Sequence, residues 1–71
     1  MIGDAQAELT EREQHILEYV WRGYSTSMIA AALATSPRTI EAQGESLLRK
    51  FGATNAIQLV RAALRRGLLE I

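Results

Sequence analysis

The chain has 71 residues, 48% of them apolar, with eight basic and eight acidic side chains, one histidine and no cysteine. That length holds one domain, and at this size only roughly 60% of the unfolded surface can be buried, so a single small core is expected. The missing cysteines exclude a disulfide framework, a cysteine-based zinc site and a thiol nucleophile; a lone histidine argues against a catalytic metal cluster, and no apolar run approaches the ~20 residues of a membrane span.

In chain order, residues 1–8 carry no periodic pattern and read as a flexible lead-in. They also lack the basic-then-apolar plan of a signal peptide, so a cytoplasmic module with no cofactor and no enzymatic activity is expected. Residues 9–71 read as the folded domain. Thr10-Glu11-Arg12-Glu13 is a capping box, in which hydroxyl and carboxylate each satisfy a free backbone N–H at a helix start. The stripe Ile16, Leu17, Val20 and Trp21 follows at helical spacing, and Gly23 stops it. Ser25-Thr26-Ser27 caps a second helix of about two turns, striped by Met28, Ile29, Ala32 and Leu33.

After Ala34-Thr35-Ser36, the Ser36-Pro37 pair opens a third helix, with proline at the first position, where its missing N–H costs nothing. This helix turns Ile40, Leu47, Leu48 and Phe51 inward and ends at Gly52, while Gly44 sits mid-helix at a cost of about 1 kcal/mol relative to alanine. Thr54 or Asn55 caps a fourth helix running to Gly67, with Leu68, Leu69 and Ile71 beyond it. No segment alternates with period two. The fold class is therefore all-α, four helices around one core, to which Val60 and Leu64 of the fourth helix also contribute.

The fourth helix is apolar over more than half its circumference, whereas packing on a small core needs a stripe of roughly 100°. The surplus arc, with alanines that permit close approach, predicts a two-fold homodimer contact through Ala56, Leu59, Ala62 and Ala63. Charge is also unevenly spread. Residues 1–36 carry five acids and two bases, residues 37–71 three acids and six bases, which points to an anionic partner for the second half or to complementation of helix dipoles. His15 has no second ligand beside it, and Trp21 and Tyr24 read as packing residues rather than a base-stacking platform.

A short helix, a three-residue turn and a second helix opened by Ser-Pro describe a helix-turn-helix. The detail goes further. Leu9-Thr10-Glu11-Arg12-Glu13, Ile16-Leu17, Gly23-Tyr24-Ser25, Ile29-Ala30, Leu33, Ser36, Thr39-Ile40, Leu47-Leu48-Arg49-Lys50-Phe51-Gly52, Asn55 and Gly67-Leu68 resemble the LuxR/GerE-type DNA-binding domain from Leu9 to Leu68. A chain of this length is similar to the stand-alone members of that family. The resemblance implies a third helix that enters the major groove of double-stranded DNA, a fourth that dimerises, and a role in transcription regulation. Ser27, Arg38, Thr39, Glu41, Ala42, Glu45, Arg49 and Lys50 are the expected DNA-contact positions.

Several of these positions depart from the family pattern. Glu41 stands where the family typically has lysine, Gln43 where it has histidine, and Thr26-Ser27 where it often has Asn-Lys. Glu45 adds a second acid one turn after Glu41. Acids near phosphates weaken non-specific binding, although a glutamate can accept a hydrogen bond from cytosine N4. Glu45 and Arg49 are also spaced to form an exposed ion pair. Two functional expectations follow. One is a DNA-binding regulator with weak or atypical affinity. The other is a degenerate helix-turn-helix whose acidic third helix binds a protein, such as another regulator or a polymerase subunit.

Overall fold

The structure, a computed structural model, describes residues 9–70; the lead-in expected at 1–8 and the last residue of the tail, Ile71, lie outside them. Four helices follow one another: α1 (Glu11–Trp21), α2 (Thr26–Ala32), α3 (Pro37–Phe51) and α4 (Ala56–Arg65). Each begins at a side-chain cap. Thr10 Oγ1 accepts the Glu13 N–H at 3.0 Å while Glu13 Oε1 accepts the Thr10 N–H at 3.0 Å, completing the capping box. Ser25 accepts from the Met28 N–H, Ser36 from that of Thr39 with Pro37 behind it, and Asn55 from that of Gln58. Of the two candidates for the last cap, the backbone at Asn55 is extended and takes the role, while Thr54 donates from its N–H and hydroxyl to the Gln58 side-chain Oε1 instead. Each cap is worth about 1 kcal/mol.

The helix ends are equally regular. In each, an N–H bonds back five residues to a carbonyl of the last turn: Tyr24 to Tyr19, Thr35 to Ala30, Ala53 to Leu48 and Leu68 to Ala63. The ending requires one residue in left-handed conformation. Gly52 supplies it after α3 with φ 66°, but after α2 the residue is Ala34, with φ 57°. An L-residue there costs roughly 1–2 kcal/mol, a strain placed in the turn that aims α3 away from α2.

The core lies between α3 and everything else. Helix α3 packs on each of the other three, and α1 packs also on α4. Ile16 and Leu17 of α1, Ile29 and Ala30 of α2, and Ile40, Leu47 and Phe51 of α3 are buried. They meet Leu59, Ala62 and Ala63 of α4, with Leu69 closing the end. Val20, Leu33, Leu48, Val60 and Leu64, expected at the centre, pack at its edge and keep some exposure. Met28, also expected inside, is 51% exposed. On so short a helix Ile29 and Ala30 fix the inward direction, and Met28, one position earlier, is rotated out of it.

Three of the four residues expected at a dimer contact, Leu59, Ala62 and Ala63, belong to this core, and only Ala56 is exposed. Two polar contacts fasten the periphery. The Gln14 amide donates to the Leu68 carbonyl at 3.3 Å, and the Arg66 guanidinium lies 4.6 Å from the centre of the Phe51 ring.

The burial difference between two adjacent leucines gives a direct check. Leu47 is fully buried and Leu48 only partly. Leu47→Ala is expected to cost about 2–5 kcal/mol of unfolding free energy, a large share of what a small domain holds, and Leu48→Ala distinctly less. Urea titrations of both variants measure this, and equal losses would contradict the orientation of α3.

Candidate nucleic-acid interface

Helix α3 is about 22 Å long and two-sided. At about 100° per residue its buried Ile40, Leu47 and Phe51 share one face, and Arg38, Ala42, Glu45 and Arg49 fall within about 60° of one another on the opposite face. All four of the latter are exposed. The helix-turn-helix arrangement holds this face outward: α2 buries Ile29 and Ala30 against the inner side of α3 and leaves its own first turn, with Ser27, exposed. Thr39 is exposed at the start of α3, its hydroxyl 3.0 Å from the Ser36 hydroxyl within the cap.

The expected Glu45–Arg49 pair is not formed. Among the described residues the ion pair closer than 4 Å joins Lys50 to Glu13, and neither Glu41 nor Glu45 has a basic partner. Both glutamates instead edge a groove of about 410 Å³ whose other wall is Tyr24, Ser25 and Thr26. Gly44 opens onto this groove. A Cβ built there meets nothing within 4 Å, so neither packing nor backbone geometry demands glycine at that position.

Lys50 is placed differently from the other basic candidates. Its Nζ lies 2.7 Å from Glu13 Oε1, the oxygen that also accepts the Thr10 N–H, so the C-terminal half of α3 is tied to the first turn of α1. Only 25% of the Lys50 side chain and 13% of the Glu13 side chain are exposed. Burial alone raises the carboxyl pKa, but hydrogen bonds from Lys50 and the Thr10 amide, with the lysine charge, outweigh it and hold Glu13 below its ordinary value of 4.5.

The surplus apolar arc expected on the fourth helix lies away from the buried Leu59, Ala62 and Ala63. Trp21, 38% exposed, and Ile57, 69% exposed, line a largely apolar trough on the outer side of α4 with Val20, Ala56, Val60 and Leu64, and Arg61 as its charged residue. The signal was present in the spacing of Ile57, Val60 and Leu64, which recur on one side of a helix.

Four capped helices, with a short second and a long, outward-facing third, define a helix-turn-helix domain. The sequence matches the bacterial regulatory proteins of the luxR family over residues 7–63, and the chain belongs to that family. It is 41% identical over 63 residues to the response regulator Rre1 of Synechocystis sp., covering 89% of this chain and 27% of that protein. It is 38% identical over 64 residues to the transcriptional regulatory protein FixJ of Bradyrhizobium diazoefficiens, covering 90% of this chain and 31% of that one. Against the crystal structure of the phage VqmA–DPO complex it superposes with a TM-score of 0.83 at 40% identity, covering 92% of this chain and 30% of the other. The chain thus spans less than a third of these relatives. No helix among the described residues is long and apolar enough to cross a membrane.

The lowered Glu13 pKa makes stability depend on acid. A carboxylate held below its unfolded pKa adds stability above that value, and this is lost as pH falls through the folded pKa. Melting temperature is expected to fall more steeply for the natural chain than for Glu13→Gln as pH is taken from neutrality to below 4.5. Parallel curves would contradict the ion pair.

Proposed function

We propose that this domain is a DNA-binding transcription regulator that places α3 in the major groove and works in the cytoplasm. The observation that carries this reading is the fully exposed outer line of α3, with arginines at both ends, on a helix-turn-helix of the luxR family. Arg38 and Arg49 are the phosphate contacts, supported by the Ser27 and Thr39 hydroxyls. Glu41 and Glu45 cancel their charge, so affinity is weak and salt-sensitive only to a small degree. Lys50 contributes to binding only by leaving Glu13.

The domain dimerises through the outer side of α4. The core placement of Leu59, Ala62 and Ala63 moves the contact from the alanine stripe to Trp21, Ile57, Val60 and Leu64, around Ala56. An apolar surface on a rigid helix suits a two-fold contact in which each residue meets its own copy or a near neighbour.

A second reading rests on the two unpartnered glutamates beside an open groove. In it, α3 binds a basic segment of another regulator or a polymerase subunit and meets no DNA.

Binding of random duplex DNA at about 50 mM salt separates the two readings. The DNA-binding reading expects measurable affinity and a log–log salt slope of about −2 per domain, about −3 if Lys50 joins. Glu41→Lys should tighten binding to all sequences and steepen the slope by roughly one. No binding by either protein, with a protein partner lost in Glu41→Lys, would replace it by the second. For the dimer, Ile57→Asp is expected to shift sedimentation at tens of micromolar, with or without DNA, toward monomer; a monomeric natural chain under both conditions would refute the contact.

A further inference from the structure

We infer that Glu45 is a specificity-determining residue that reads a cytosine, an inference that rests on the DNA-binding reading above. The two acids of α3 are not equivalent. Both edge the groove, but at about 100° per residue Glu45 also lies within the outer line formed by Arg38, Ala42 and Arg49, whereas Glu41 is turned roughly 70° from the middle of that line. Glu45 is exposed and has no basic partner, although Arg49 stands one turn away in the order that favours pairing. Its carboxylate is therefore available to a ligand on the face that would meet base edges.

The chemistry of the major groove leaves such a carboxylate few options. Most base edges there present acceptors, guanine N7 and O6, adenine N7 and thymine O4, and the rims are phosphates, all of which repel it. The donors are cytosine N4 and adenine N6, and glutamate pairs with cytosine N4 because adenine N6 sits beside the repelling N7 acceptor of its own base. Ala42, one turn before Glu45 on the same line, has no side chain long enough to hold the helix off the base edges. Arg38 and Arg49 lie about 10 Å and 6 Å along the axis on either side, within reach of the flanking phosphates. Glu45 thus penalises every register that lacks a donor beneath it and is relieved at one base pair. Discrimination comes from a repulsive element as much as from the new hydrogen bond.

The test is selection from a randomised duplex library with the natural chain, Glu45→Ala, Glu45→Gln and Glu41→Ala, alongside total affinity for random duplex. The natural chain is expected to enrich cytosine at one position of each half-site by about 5- to 150-fold. Glu45→Ala should abolish that column and bind random duplex more tightly. Glu45→Gln should turn the preference toward adenine, which glutamine reads, a switch that a structural role would not produce. Glu41→Ala should keep the column. A cytosine preference retained in Glu45→Ala, absent from the natural chain, or lost in Glu41→Ala instead overturns the assignment while DNA binding stands. Failure of the natural chain to bind any duplex overturns both.

Discussion

Burial of the inner stripe of α3, Ile40, Leu47 and Phe51, is the contact on which every other part of the domain depends. These side chains are where α1, α2 and α4 converge, since α3 alone packs on all three. The outer face of the same helix is the candidate interface. Core and interface are therefore opposite sides of one rod, and whatever fixes the rotation of α3 about its axis fixes which residues a partner meets. A rotation of one residue, about 100°, would bury Glu41 and expose Ile40. The cost of an unpaired buried charge, together with lost apolar contacts, excludes it. The interface is as well defined as the core is.

Position along the axis is secured separately. Ser36 and Pro37 fix where α3 begins, and Gly52 fixes where it ends. Near its far end, the Lys50–Glu13 pair joins α3 to the capping box of α1, so one carboxylate oxygen serves both a helix start and a contact between helices. Loss of Glu13 would open both at once. The domain places its strain elsewhere, at Ala34 in the turn between α2 and α3. That turn sets the angle between the two helices.

Local chemistry was readable from sequence, and rotational phase was readable for α1 and α3 but not for α4. Thr10, Ser25, Ser36 with Pro37, and Gly52 announce helix starts and a stop through interactions spanning three to five residues, and the structure has each where the sequence puts it. Helical spacing also gave most of the core, because Ile16, Leu17, Ile29, Ile40, Leu47 and Phe51 sit on narrow stripes with a single inward solution. Helix α4 has two. Its apolar residues cover both Leu59, Ala62 and Ala63 and Ile57, Val60 and Leu64, and spacing alone cannot say which set faces inward. Close packing against α1 and α3 selects the set with two alanines, leaving Val60 and Leu64 at the edge of the core and Ile57 exposed. Met28 is the same ambiguity on a shorter helix. The Lys50–Glu13 contact spans 37 residues, so no local pattern could reveal it, and it withdraws one base from the surface that sequence had assigned to DNA.

Charge on the outer face of α3 follows from that withdrawal. The second half of the chain carries six bases, yet few of them stand on this face. Lys50 is paired with Glu13, Arg66 lies over Phe51, and Arg61 and Arg65 are on α4. What remains along α3 is Arg38 and Arg49 against Glu41 and Glu45, a balance of zero. A groove-entering helix with no net charge gains little from counterion release, which normally supplies affinity for every sequence alike. On the DNA-binding reading its binding energy comes from directional contacts and, in the proposed dimer, from two domains engaging two half-sites together, which multiplies weak affinities without new charge. Low non-specific affinity has a compensating effect, because discrimination in a genome depends on the ratio of specific to non-specific binding and not on affinity alone. On the DNA-binding reading, the acids that depress binding to most sequences are thus the means by which so small a basic surface can still select a site.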